Sequence, residues 1–277
     1  MISNFKIVAD SSADMLRLKD VEFESTPLKI ITDVAEYIDD ENLDVEKMTN
    51  DLRSYKGRSS TSCPSSLDYF DAFGGAQYVF CVTITSKLSG SYNSAILAKN
   101  DYEEKFPERK VFVIDSLSAG PGLRLLVEKL KELAMSELAY DKICEEIISY
   151  KERLALYFSL ENLNNLANNG RVNPAVAKMA TMFGIRIVGK EYEGELKPLL
   201  KCCGEKKALE VLFDKIVSAG YKGGKVRIAH CGNENAALKI ASEIRKKYEE
   251  SDIKVYKTRG LCSFYAENGG LLIGFEK

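Results

Sequence analysis

Three times in the first half of the chain, a short apolar run gives way to a polar turn and then to a helical pattern. Residues 5–9 lead into Asp10-Ser11-Ser12-Ala13-Asp14, residues 78–84 into Ser86-Lys87-Leu88-Ser89-Gly90, and residues 111–114 into Asp115-Ser116. Runs of this kind read as buried strands, and helices between them require a parallel sheet covered by helices. Ligands of such sheets gather beyond the carboxyl ends of the strands. The turns after Ala9, Ile84 and Ile114 are therefore the first places to look for a site. A further strand is expected at residues 27–31, and helices at 45–55, 65–73, 91–106, 121–136 and 140–154.

The second half has a different texture. Strands are expected at residues 155–160, 226–230, 253–258 and at the end, after the glycine turn Gly269-Gly270. Residues 185–188 and 196–200 form a paired candidate around Glu193-Gly194. Helices are expected at 161–169, stopped by Gly170, at the strongly apolar stretch 174–182, and at 206–219 and 234–248. The change of texture places a domain boundary near Leu154, giving residues 1–154 and 155–277.

Charge and cysteine usage narrow the function. The net charge is −2 with both signs interspersed, so no basic excess exists to neutralise a nucleic-acid backbone. No run of about 18 apolar residues suggests a membrane span, and the N-terminus lacks a basic region followed by a long apolar stretch. The expected compartment is the cytoplasm. Seven cysteines, no C-x-x-C and a single histidine, His230, fit neither a disulfide framework nor a zinc site. Reduced thiols, no metal and no cofactor are the expectation.

Two segments concentrate hydroxyls ahead of helical patterns: Ser60-Thr61-Ser62-Cys63-Pro64-Ser65 and Ser86 to Ser91. A helix start carries unpaired N–H groups and partial positive charge, so hydroxyls there can build an anion site suited to a carboxylate. Plain helix capping uses the same residues. His230 ends a strand, where it serves as a base or, more simply, as a satisfied core histidine. Asp10, Asp14 and Asp115 would form a metal site only if they converged, and turn capping explains them as well. No Walker A or G-x-S-x-G pattern occurs, and Gly120-Pro121-Gly122 lacks the third glycine of a dinucleotide fingerprint.

In order along the chain, several short motifs together resemble the DegV family, which includes the fatty-acid-binding subunits of bacterial fatty acid kinase. They are Ile7-Val8-Ala9-Asp10-Ser11-Ser12, Thr61-Ser62-Cys63-Pro64-Ser65, Ser86-Lys87-Leu88-Ser89-Gly90-Ser91-Tyr92, Asp115-Ser116, Asn169-Gly170-Arg171-Val172 and Lys197-Pro198. The resemblance implies two α/β domains with a long-chain fatty acid between them, and a non-catalytic role presenting the lipid carboxylate to a partner kinase. It implies that Thr61, Ser89 and the Gly90 N–H hold the carboxylate, and that Arg171 supports the threonine loop. Residues 174–182 and Phe183 are expected in the wall of the acyl tunnel, and the default oligomeric state is a monomer.

Departures from the pattern are Cys63 for glutamine, Ser91 for threonine and Asn169 for glycine. Near the end, where H-x-G-P-G is frequent in the family, Ala266 falls at the histidine and Asn268 at a glycine. The rival to lipid delivery is an enzyme acting on a small phosphorylated or carboxylated metabolite in the same cleft.

Overall fold

The computed structural model describes residues 4–136, 138–175 and 184–277. The first half contains β1 (Phe5–Asp10), β2 (Glu22–Thr26), β3 (Lys29–Ile31), β4 (Glu36–Ile38), α1 (Val45–Ser54), β5 (Ser60–Ser62), α2 (Ser66–Phe73), β6 (Tyr78–Thr83), α3 (Ser91–Lys105), β7 (Lys110–Asp115), α4 (Pro121–Ala134) and α5 (Tyr140–Glu152). The described part of the second half contains β8 (Leu154–Leu160), α6 (Asn164–Asn168), β9 (Ile185–Tyr192), β10 (Glu195–Cys203), α7 (Gly204–Ser218), β11 (Lys225–His230), α8 (Glu234–Lys247), β12 (Asp252–Lys257), α9 (Gly260–Ala266) and β13 (Leu271–Glu276).

The expected parallel sheet is present, in the order β2-β1-β6-β7. Its central strands are apolar on both sides because both faces are covered. Ile7, Phe80 and Val82 pack on α4 and α5, while Val8, Val79 and Cys81 pack on α2 and α3. Pro121 starts α4, where its missing N–H costs nothing.

The second half forms a mixed sheet, β10-β9-β8-β13-β11-β12, with only β11 and β12 parallel. Helices α7 and α8 cover one face. Helix α4 lies against β13 and β11 as well as against the first sheet. The approach is close: a Cβ on Gly274 would stand 2.7 Å from the Pro121 carbonyl carbon. Arg227 of β11 is only 1% exposed and is met by Glu128 of α4, with Nε–Oε2 at 2.8 Å and Nη2–Oε2 at 2.5 Å. Strand alternation then decides which side chains of the second sheet look back toward the first. Leu156, Phe158 and Leu160 of β8 do so, whereas Tyr157 joins the α7–α8 core.

Some elements differ from expectation. Residues 60–62 form β5 rather than a helix approach, pairing with β3 beside β4 in a small antiparallel sheet. The helix expected at 161–169 is the shorter α6. Pro198 lies within β10, which is tolerable because β10 is an edge strand and its register shifts between Pro198 and Leu200. Phe183 and the apolar helix expected beyond Ala175 lie outside the described residues. Among the described residues no helix is long and apolar enough to cross a membrane, and all seven cysteines are free.

Candidate functional site

Thr61, Ser89, Gly90 and Arg171 line one cavity of about 280 Å³ between the two sheets. The Thr61 and Ser89 loops touch: a Cβ on Gly90 would stand 3.1 Å from Cys63 Sγ. Away from these polar groups the walls are apolar. Leu28, Ile84 and Ala119 come from the first half, and Leu156, Phe158, Leu160, Leu196 and Leu272 from the second. The cavity thus has hydroxyls at one end and aliphatic or aromatic surface elsewhere, which is the chemistry of an amphiphile with a small polar head.

Local structure explains how the hydroxyls are presented. Thr61 sits in β5 opposite Ile30, not at a helix start. Helix α2 begins later, capped by Ser65, whose Oγ accepts the Asp68 N–H while Asp68 accepts the Ser65 N–H. Capping therefore consumes Ser65 and leaves Thr61 to the cavity. Ser89 belongs to the start of α3: its Oγ accepts the Ser91 N–H at 3.2 Å and lies 3.0 Å from Ser91 Oγ. The macrodipole argument holds for the Ser89–Gly90 turn and not for Thr61.

The role implied for Arg171 needs correction. Its Nε donates to the Leu88 carbonyl at 3.1 Å and its Nη1 donates to the Asn169 carbonyl, so it braces the serine loop rather than the threonine loop. The threonine side is reached by Asn169, whose Nδ2 donates to the Ser59 carbonyl at 3.3 Å. Asparagine in place of glycine supplies that contact. Gly170, with φ of +73°, makes the left-handed turn that ends α6 and delivers Arg171.

Tyr265 was missed as a site residue. Its hydroxyl lies 2.8 Å from Thr61 Oγ1, and its ring faces the Arg171 guanidinium at 5.9 Å. Burial raises the Tyr265 pKa, so the phenol stays protonated. The segment that departs from H-x-G-P-G thus places a neutral hydroxyl against the threonine. It lies on α9, whose start is fixed by the first half: Asp39 accepts the N–H groups of Gly260 and Leu261, both at 2.9 Å, and Asp14 accepts the Arg259 N–H at 2.6 Å.

The three aspartates singled out in the turns act on backbone. Asp10 accepts from Ile84 N–H at 2.7 Å and Asp115 from Leu117 N–H at 3.0 Å, as Asp14 does from Arg259. No metal-binding group of His, Cys, Asp or Glu occurs among the described residues. His230 ends β11 as expected, but Nδ1 is buried without a hydrogen-bond partner among the described residues, so it is not a satisfied core histidine.

Comparison with known proteins gives a consistent result. A family model described as "Uncharacterised protein, DegV family" matches residues 4–277. A DegV domain-containing protein of Streptococcus pneumoniae is 43% identical over 277 residues, covering 98% of this chain and 99% of the relative. A DegV family protein from Eubacterium eligens, solved loaded with heptadecanoic acid, is 42% identical with a TM-score of 0.97 and 99% of each chain covered. The Streptococcus pneumoniae Fatty Acid Kinase (Fak) B3 protein, solved loaded with linoleic acid, gives the same identity, TM-score and coverage.

Proposed function

The chain belongs to the DegV family, and from that premise we propose that it binds a long-chain fatty acid and offers the carboxylate to a partner kinase for acyl-phosphate formation. The observation that carries the reading is the cavity between the sheets, which Thr61, Ser62, Ser89, Gly90, Arg171 and Tyr265 make polar in part and which is otherwise lined mainly by apolar side chains. Thr61 and Ser89 hydroxyls and the Gly90 N–H are the carboxylate donors, and Arg171 and Asn169 hold their loops. Residues 1–154 supply the polar grip as one domain, and 155–277 supply most of the acyl wall as another. Phe183 is assigned to that wall from the apolar character of the sequence stretch that it follows.

The energetics divide along the ligand. Each buried methylene contributes about 0.8 kcal/mol, so a chain of about sixteen carbons gains on the order of 10 kcal/mol before ordering costs. The carboxylate must be hydrogen-bonded to be tolerated in such a site. The tail supplies affinity, and the hydroxyls fix which end faces out. Gly90 is exposed at that end, leaving the head within reach of a second protein. The chain itself is a carrier, with the transfer chemistry on the kinase, and it acts as a cytoplasmic monomer with no cofactor of its own.

Organic-solvent extraction of purified protein followed by mass spectrometry tests the reading. A saturated or unsaturated long-chain acid is expected in near-stoichiometric yield. Thr61→Ala with Ser89→Ala should lower that yield sharply with the melting temperature preserved. A polar metabolite in the extract, or full retention by the double variant, overturns the assignment.

A further inference from the structure

The parallel strands β11 and β12 end side by side, and the segments that follow them, His230-Cys231-Gly232 and Lys257-Thr258-Arg259, line a second cavity of about 950 Å³. This is the crevice beyond the carboxyl ends of parallel strands, where open α/β sheets take ligands. Helix α1 of the first half contributes Asn50 and Arg53, the loop after β8 contributes Asn162, and the start of α6 contributes Asn164 and Asn165.

The chemistry here differs from that of the apolar pocket. Arg53 and Lys257 are exposed cations on different walls. The carboxylates that line the cavity are Glu46 and Glu267, and Glu267 already accepts the Asn165 N–H at 3.1 Å, while the Glu234 charge acts on His230 from outside the lining. Amide side chains dominate the remaining polar surface. Each can donate and accept, as sugar hydroxyls do, whereas a phosphate accepts from several cationic donors at once. His230 is 2% exposed, lines the cavity, and has no partner for Nδ1 among the described residues. A buried polar atom left in this state calls for a partner that the chain does not supply. Burial holds the imidazole below its ordinary pKa, so one ring nitrogen is available to accept a hydroxyl. Arg259 lines the same cavity, its Nη2 held by the Asp40 carbonyl.

We propose that this cleft is a second ligand site for a small phosphorylated sugar, with the phosphate between Arg53 and Lys257 and the hydroxyls on His230 and the asparagine side chains. The assignment is independent of what fills the apolar pocket.

Calorimetric titration of the full chain, lipid-loaded as purified, with glucose 6-phosphate as the probe is the test. Saturable binding is expected, at least tenfold tighter than for glucose or for inorganic phosphate. Arg53→Ala with Lys257→Ala should weaken it at least tenfold. Both side chains are exposed, so the melting temperature should hold, and the single variants serve if it does not. Asn162→Ala should weaken binding about threefold while leaving inorganic phosphate unaffected. The proposal fails if millimolar glucose 6-phosphate gives no binding, if inorganic phosphate binds equally well, or if the double variant binds as the parent does.

Discussion

Replacing Tyr265 with phenylalanine removes one oxygen and leaves the ring against Phe264 and Arg171. That oxygen is 2.8 Å from Thr61 Oγ1. A hydrogen bond of this kind contributes about 0.5–1.5 kcal/mol net. If its function is to hold the Thr61 hydroxyl toward the ligand, losing it weakens fatty-acid binding about two- to tenfold. The measurement is displacement of a fluorescent fatty acid from delipidated protein, run on Tyr265→Phe, Thr61→Ala and the pair. Because Tyr265 acts through Thr61, its substitution should matter little once Thr61 is alanine. The cycle should show a coupling of about 0.5 kcal/mol or more. Strict additivity would mean the phenol contacts the ligand independently, and an unchanged affinity in Tyr265→Phe would mean it positions nothing. Either result refutes the reasoning.

Three further outcomes follow from geometry already described. Gly90→Ala puts a methyl 3.1 Å from Cys63 Sγ at an ordinary φ of −75°; it should spread the two loops and weaken lipid binding severalfold, and Cys63→Ala should restore it. Glu128→Ala strands the buried Arg227 guanidinium, which keeps only Asp252 as a carboxylate partner; urea unfolding should show a loss of about 3–5 kcal/mol. Burial pushes the Asp14 carboxyl up to about 7, with the Asp39 charge adding to it against the Arg259 N–H. A raised acid pKa means the folded state holds the proton longer, so this contribution is full below about pH 4 and is lost as pH rises through about 7. Asp14→Asn should therefore gain in melting temperature relative to the parent between pH 5 and pH 8; a pH-independent difference would contradict the assignment.

The parallel sheet was legible because its strands are buried on both faces and read as unbroken apolar runs. The small antiparallel sheet was not, since β4 and β5 are three residues each and Ser60–Ser62 carries no apolar signal. Nor was α9 legible. Its first N–H groups are capped by Asp39, 221 and 222 positions away, and no local pattern reveals such a cap. Thr61, Ser89, Gly90 and Arg171 were singled out through motifs, and all four line one cavity. Tyr265 was not, because its partner lies 204 positions away and the segment registered only as a departure from H-x-G-P-G. Arg171 lines the cavity, but its Nε reaches the serine loop and not the threonine loop, since motif order says nothing about which carbonyl a guanidinium reaches.

Helix α9 is seven residues long and has a cavity on either side, with Ser263 and Phe264 on one and Tyr265 and Ala266 on the other. One seven-residue helix therefore supplies a wall to both chambers, so a ligand that displaced it in one would displace lining residues of the other. Any coupling that arose in this way would be equal in both directions.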